Sequence, residues 1–280
     1  MSSSVNTSFI ELYEAEVKAA YQRDALLRNT VRTRTQVGSQ RIYFPTLGKG
    51  AATQKARHAD VVPMNLAHGR AFADMADYYA PEYIDDLDQA KINWSLRNDY
   101  SKASGRALGR QTDQILLEAL NATANVVGTD GLDSAASGAI TLGVLAGLEA
   151  QLNDNDVPLD GRRWAATTPA GLRQIQQITQ ATSLDFVNNK ILGTGMAPQT
   201  YFGFNWVVHS GLGTPVDATT PALIYAWHED AVGHGITKDI TTSVDWVAQK
   251  VAWLVNSWMS MGATIIEDEG VVKVISGATP

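Results

Sequence analysis

Apolar and polar positions along this chain follow two rhythms, one helical and one alternating. Near the start, Phe9, Leu12, Tyr13, Val17 and Tyr21 recur at helical spacing behind Ser8, a residue suited to capping, and predict an amphipathic helix. From Leu96 the rhythm returns at Tyr100, Ala103, Ala107, Gln111, Ile115 and Ala119. No proline interrupts it, so one long helix over 95–124 is predicted. At ~1.5 Å per residue that helix is about 45 Å long. Gly105 and Gly109 each cost roughly 1 kcal/mol against alanine. They mark a bend or the close approach of another backbone.

Between these segments lies "VGSQRIYFPTLGKGAATQKARHADVVPMNLAHGR", Val37 to Arg70, which has only scattered apolar residues. "RIYF" reads as extended and ended by Pro45, Thr46 to Gly50 as turn chemistry, and "VVPMNLAHGRAFADM" as a return arm. Arms of roughly a dozen extended residues reach about 40 Å at ~3.3 Å per residue. A compact body of this length has a radius of gyration of roughly 19 Å. A two-armed loop of that reach is expected to project by almost a body width and to lie on another subunit, because an isolated ribbon is marginal in water.

The later chain mixes both rhythms. "ITLGVLAGLEAQL" and "PAGLRQIQQI" predict helices, the second opened by Pro169, while "RRWAATTP", "WVVHS" and "ALIYAWHEDAVGHG" predict strands. The glycine-rich "VGTDGLDSAASG" marks a subdomain boundary. "VAWLVNSWMSMGATIIEDEGVVKVIS" reads as a long strand, a bend at Gly262 and a final strand after Gly270. There is no internal repeat.

Charge changes this picture. Residues 1–70 carry ten Lys and Arg against five Asp and Glu, net +5, and residues 71–280 carry twelve against twenty-four, net -12. A basic segment on an acidic chain can bind nucleic acid or the acidic body of an identical neighbour, and the second reading also explains the acidic remainder. With 45% hydrophobic and 18% charged residues in 280, the chain is long and apolar enough for real cores, which excludes disorder of the whole. Absence of cysteine removes disulfides, thiolate metal sites and cysteine nucleophiles. Neither a signal peptide nor a membrane span is legible.

Motifs for catalysis fail one by one. "GKGAATQKA" lacks the second glycine of a phosphate loop and has Ala56 where a magnesium-binding hydroxyl belongs. "WHEDAVGH" holds His228, Glu229 and His234, but the second histidine of a zinc protease belongs where Val232 stands. "VHSGLG" has Val208 where a nucleophile elbow needs glycine, and "GTGMAP" has Pro198 in place of the third glycine of a dinucleotide fingerprint. Asp85, Asp86 and Asp88 suit a helix N-terminal region, and Glu267, Asp268 and Glu269 a solvated turn. Trp206, Trp227, Trp246, Trp253 and Trp258 read as strand-face core. No catalytic residue, metal ligand or cofactor site is expected.

The order of these segments resembles the major capsid (coat) protein of tailed bacteriophages, most of all the short-tailed type, a fold shared with encapsulins and the herpesvirus capsid floor. The stretches that carry the resemblance are "RIYFPTLGKG", "ADYYAPEYIDDLDQAKINWSLRNDYSKASGRALGRQTDQILLEAL" and "AVGHGITKDITTSVDWVAQKVAWLVNSWMSMGATIIEDEGVVKVI". The resemblance implies an α+β fold with an N-terminal arm (1–36), an extended E-loop (37–75), a P-domain with a long spine helix (76–137), an α/β A-domain (138–245) and returning P-domain strands (246–280). It implies hexamers and pentamers tiling an icosahedral shell around phage double-stranded DNA, assembled in the host bacterial cytoplasm, with the virion capsid as destination.

Further partners implied are a scaffolding protein, a portal and a decoration protein, with non-specific contact to the packaged DNA and none to membrane. No enzyme activity and no cofactor are implied. Arg41, Lys49, Lys55, Arg57 and Arg70 are the expected intersubunit contacts. A lysine–asparagine cross-link of Lys49 or Lys55 with Asn256 matches by region only, with no activating glutamate to assign, and is not expected. The long N-terminal scaffolding extension of some relatives is missing, so a separate scaffolding protein or prior trimming is expected. Alternatives are an encapsulin-like nanocompartment shell and, behind it, a nucleic-acid-binding module.

Overall fold

A computed structural model describes residues 24–86, 96–127, 140–178, 200–212 and 222–275. The predicted N-terminal helix behind Ser8, the glycine-rich stretch beyond Val127, Asp88 and "LGTGMAP" lie outside the described residues.

Among the described residues the strands form two larger sheets and a ribbon. The four-stranded sheet has the order β1 (Arg32–Thr35), β9 (Val232–Val247), β10 (Ala252–Ile265), β4 (Ala76–Asp85). In the five-stranded sheet the order is β5 (Val126–Val127), β11 (Val271–Ile275), β8 (Ala222–His228), β6 (Arg163–Thr167), β7 (Asn205–Val208). The ribbon pairs β2 (Arg41–Leu47) with β3 (His68–Asp74), from Arg41 opposite Asp74 to Leu47 opposite His68. The chain crosses between the larger sheets at two adjacent points, after β8 and before β11. There the Ile266 N–H donates to the Ala231 carbonyl at 2.8 Å and joins the crossings.

Helix α1 (Leu96–Asn121) is the long helix predicted from periodicity, about 39 Å at ~1.5 Å per residue. One stripe of it packs Leu108 and Ile115 on Ile236, Met259 and Met261 of the four-stranded sheet. Its second half packs Leu116, Leu117 and Leu120 toward Tyr225, Trp227 and Val271 of the other. One helix therefore ties both sheets together. The buried face, though, is displaced from the predicted stripe. Ser104, Leu108, Thr112, Asp113, Leu116 and Leu120 are buried, while Tyr100 is exposed and Ala103, Ala107, Gln111 and Ala119 are half-buried.

The displacement is possible because the buried polar groups have partners. The Thr112 hydroxyl donates to the Leu108 carbonyl at 3.1 Å. Asp113 accepts the N–H groups of Leu26 and Leu27 at 3.1 and 3.0 Å, and a buried polar group so bonded escapes most of its desolvation cost. Gly109 has the close approach expected of it, since an added Cβ would stand 3.3 Å from the Ala25 nitrogen. Gly105 faces open space.

Helices α2 (Leu142–Asp154) and α3 (Pro169–Gln177) fall where predicted. Thr141 and Thr168 cap them, each hydroxyl accepting an N–H of the first turn, that of Val144 at 3.4 Å and that of Gly171 at 2.9 Å. Leu145, Leu148, Leu152 and Ile175 cover one face of the five-stranded sheet against Ala165, Ile224, Ala226, Val272 and Val274. β6, β7 and β11 also agree with the alternation. The strand predicted to run from Ala222 through Gly235 is broken by a 3-10 turn at Glu229–Ala231, and β9 then continues to Val247.

Two expectations fail. β2 continues through Pro45, which lies opposite Arg70. A two-stranded ribbon has open edges on both sides, so the missing N–H is tolerated. β10 runs on through Gly262 without ending. Its irregularity falls at Trp258 to Met261, where the register with β9 shifts, and Gly262 is needed because a Cβ there would lie 2.0 Å from the Asp74 carbonyl. Asp85 ends the edge strand β4 and Asp86 directly after it is already helical, in keeping with the expected helix N-terminal region, while Pro81 is accommodated in β4 by its edge position.

Candidate assembly surface

Strand β2 of the ribbon alternates. Ile42 and Phe44 are buried, while Arg41, Tyr43 and Pro45 point outward. Glycines make room for the inward pair, because a Cβ on Gly233 would sit 2.8 Å from the Phe44 ring and one on Gly235 3.2 Å from Ile42. Ile42, Phe44 and Ala73 form a small core with Met75 and Ile266. The root of the ribbon is thus pinned to its own body. This modifies the expectation of a freely projecting loop, whose apolar residues were too few to form a core alone but suffice to borrow one.

The outward face carries a cation–aromatic ladder. Tyr43 and Phe72 lie 6.3 Å apart, the Arg70 guanidinium stands 5.0 Å from the Tyr43 centroid, and that of Arg41 stands 4.6 Å from Phe72. Arg41 also ion-pairs with Asp74 directly opposite. Beyond the paired strands, residues 48–67 form an irregular tip that exposes Val61 (74%), Val62 (68%) and Met64, together with Lys55 and Arg57. No ion pair joins Lys55 or Arg57 to another described residue.

Lys49 behaves differently from its basic neighbours. Its ammonium lies 2.9 Å from Glu269 Oε2, 3.3 Å from the Asn155 carbonyl and 3.9 Å from Asp156 Oδ2. The hydrogen bond to Glu269 raises its pKa above the ordinary lysine value. Of the five predicted contact residues, the structure places Arg41 and Arg70 on the ladder, Lys55 and Arg57 at the tip, and Lys49 on its own body.

A second surface escaped the sequence reading. Tyr79 (64% exposed) and Tyr83 line the open edge of β4, beside Asp77, Glu82, Asp85 and Asp86. Lys250 Nζ stands 3.8 Å from the Tyr83 centroid. Two strands in from this edge, on β9, Trp246 is 44% exposed and meets Trp253 of β10 edge-to-face at 5.2 Å, so it is not core as predicted. Trp227, by contrast, is fully buried and donates its indole N–H to the Thr30 carbonyl at 2.9 Å. The missed signal is the tyrosine and acid content of "ADYYAPEYIDD", a stretch that entered the sequence reading through the family resemblance and, at Asp85 and Asp86, through a helix N-terminal region.

Buried polar groups elsewhere serve the fold. Gly211 N–H donates to His209 Nδ1 at 3.0 Å, so the ring proton sits on Nε2 and points at Asp113. His228 has the same arrangement, accepting from the Asp230 N–H and facing Asp160 at 3.1 Å. Two hydrogen bonds from Arg162 hold the Asp160 carboxyl well below its usual range. His234 is fully buried with no hydrogen-bond partner at either nitrogen among the described residues, and burial lowers its pKa to about 4. Among the described residues no group of three His, Asp or Glu side chains is placed to hold a metal, and no helix is long and apolar enough to cross a membrane.

The sequence matches the phage capsid protein family over residues 5–276. The fold is similar to that of a chain in the capsid structure of the cyanophage P-SCSP1u, with a TM-score of 0.77 at 18% identity, covering 98% of this chain and 95% of that one. It is also similar to a chain from Mycobacterium phage Che8, at 0.73 and 15% over 96% and 97%. A third likeness is to the asymmetric unit of the bacteriophage PhiM1 mature capsid, at 0.72 and 11% over 96% and 92%. No curated protein matches.

Proposed function

The chain belongs to the phage capsid protein family, and from that premise we propose that it assembles as hexamers and pentamers into an icosahedral shell enclosing phage double-stranded DNA. The observation that carries the proposal is the pairing of surfaces on one subunit: a basic, apolar ribbon tip and an acidic, aromatic sheet edge. Lys55 and Arg57 with Val61, Val62 and Met64 are complementary to Asp77, Glu82, Tyr79 and Tyr83. Such surfaces on identical copies can satisfy one another in a closed ring.

Energetics favour the role. An exposed ion pair contributes roughly 0–1 kcal/mol, so a single contact is readily exchanged while many copies hold a shell. In this reading Arg41 and Arg70 present the ribbon's outer face to the neighbour, and the subunit's work is structural rather than catalytic. A scaffolding protein, a portal and a decoration protein complete the particle, which is assembled in the host cytoplasm. DNA is touched without sequence preference, through salt-sensitive phosphate contacts.

The arm, E-loop, P-domain and A-domain ranges remain our working division. The sheet memberships support moving β9 to the P-domain side and β11 to the A-domain side. The test is sedimentation and electron microscopy of the chain produced with its scaffolding partner. Closed shells or five- and six-fold rings are the expected result, and an inert monomer in the presence of scaffold would overturn the proposal.

A further inference from the structure

The ribbon is attached to its body at two places of opposite character. At the root, Ile42 and Phe44 are fully buried against Gly233, Gly235 and Ile266. Toward the tip, the attachment is the exposed ammonium of Lys49, about two-thirds accessible, as is its partner Glu269. Apolar burial is costly to undo, whereas an exposed ion pair exchanges readily with water and salt. Such an arrangement makes the root a hinge and the tip contact a removable catch.

The receiving side is built from two turns that brace each other. The turn after α2 supplies the Asn155 carbonyl and Asp156, and the 3-10 turn before β11 supplies Glu269. Asn155 Nδ2 donates to the Glu269 carbonyl at 2.8 Å and locks the turns together. A lysine ammonium has three donors and no acceptor, and here two oxygens of this braced pair, Glu269 Oε2 and the Asn155 carbonyl, lie within donating distance, with the Asp156 carboxylate a longer ion pair at 3.9 Å. Beside it lies a cavity of about 160 Å³ lined by the body residues Asp156, His228 and Glu269, to which the ribbon contributes Lys49. While the catch is closed, Leu47, Val61, Val62 and Met64 still face solvent. The closed form therefore leaves the tip's apolar surface uncovered.

We propose that Lys49 is a self-latch, holding the ribbon on its own subunit through Glu269, Asn155 and Asp156 before assembly and releasing it when the tip docks on a neighbour. The release step rests on the assembly proposed above, while the latch itself is a property of the isolated chain.

The chain has no cysteine, so labels placed at Thr53→Cys, an exposed uncharged position of the tip, and Arg173→Cys report one distance, from ribbon tip to body, by pulsed electron paramagnetic resonance on the subunit. The latch predicts a narrow distance distribution that broadens in Lys49→Glu and in Glu269→Lys and narrows again in the double exchange. It also predicts broadening of the unexchanged protein as salt rises from ~0.01 M to ~1 M, where the Debye length falls from about 30 Å to about 3 Å.

An unchanged distribution in the single variants, or no recovery in the double exchange, overturns the latch. An equimolar mixture of the two single variants separates the remaining possibility. It stays broad if the contact is made within one chain, and narrowing on mixing would overturn the proposal by showing a contact between copies. In assembled particles the distribution is expected to differ from that of the free subunit, and an identical one would overturn release. Since the latch is read without assembly, a failure to form shells would count against the capsid assembly alone.

Discussion

Asp113 Oδ2 lies 3.2 Å from His209 Nε2, and both side chains are almost wholly buried. The same carboxylate accepts the N–H groups of Leu26 and Leu27. One acid in the middle of α1 therefore joins the start of the described chain to the loop that follows β7. Beside it, Gly109 lets the Ala25 backbone approach. The two residues form a notch in the helix that fits the entering chain.

Asp113→Ala is expected to destabilise the subunit by about 3 kcal/mol or more, because it leaves several buried donors unpaired. Glu118→Ala, on the exposed face of the same helix, is expected to stay within ~0.5 kcal/mol of the parent. Urea unfolding of the two variants side by side checks this, and equal midpoints would show that the notch is not structural.

His234 gives a pH dependence with a definite sign. Burial lowers its pKa from 6.5 to about 4, so the unfolded chain takes up the proton first. Its contribution is fully present above pH 6.5 and is lost as pH falls toward 4, on the order of 3 kcal/mol in all at ~1.4 kcal/mol per pH unit. Asp160 and Asp239, held down chiefly by hydrogen bonds from Arg162 and Arg28, lose their contributions only below the ordinary carboxylate range. His234→Leu should therefore flatten the stability profile between pH 6.5 and 4, as read from thermal midpoints across that interval.

Gly105 and Gly109 provide a matched pair. Gly105→Ala meets no atom within 4 Å and should raise stability by about 0.5–1 kcal/mol through helix propensity. Gly109→Ala gains the same propensity but presses its Cβ to 3.3 Å from the Ala25 nitrogen, so its melting temperature should fall below that of Gly105→Ala. The reverse order in calorimetry would refute the close approach.

Lys55→Glu combined with Arg57→Glu should impair assembly and leave the thermal midpoint of the subunit unchanged, because both side chains are exposed and neither pairs with a described residue of its own chain. Turbidity and electron microscopy read the first effect and calorimetry the second. Shells of normal yield would remove the tip charges from the interface.

Local patterns alone determined the helices at Leu96–Asn121, Leu142–Asp154 and Pro169–Gln177, the strands at Arg163–Thr167, Asn205–Val208 and Val271–Ile275, and the basic character of the ribbon. Periodicity, caps such as Thr168 and turn residues act within a few positions, and their energies are largely set before distant segments meet. The family resemblance was legible for a related reason, as an order of such segments. Tertiary structure decided what depends on a partner. The buried stripe of α1 carries Leu108, Leu116 and Leu120, and it includes Thr112 and Asp113 only because tertiary partners bond their polar groups there. The edge strand Ala76–Asp85 exists because β10 pairs with it over ten residues, and Gly262 is a close contact rather than a bend because Asp74 approaches it. Lys49 became a contact to its own body because two turns 114 residues apart in sequence are hydrogen-bonded in space, a proximity that no local spacing encodes.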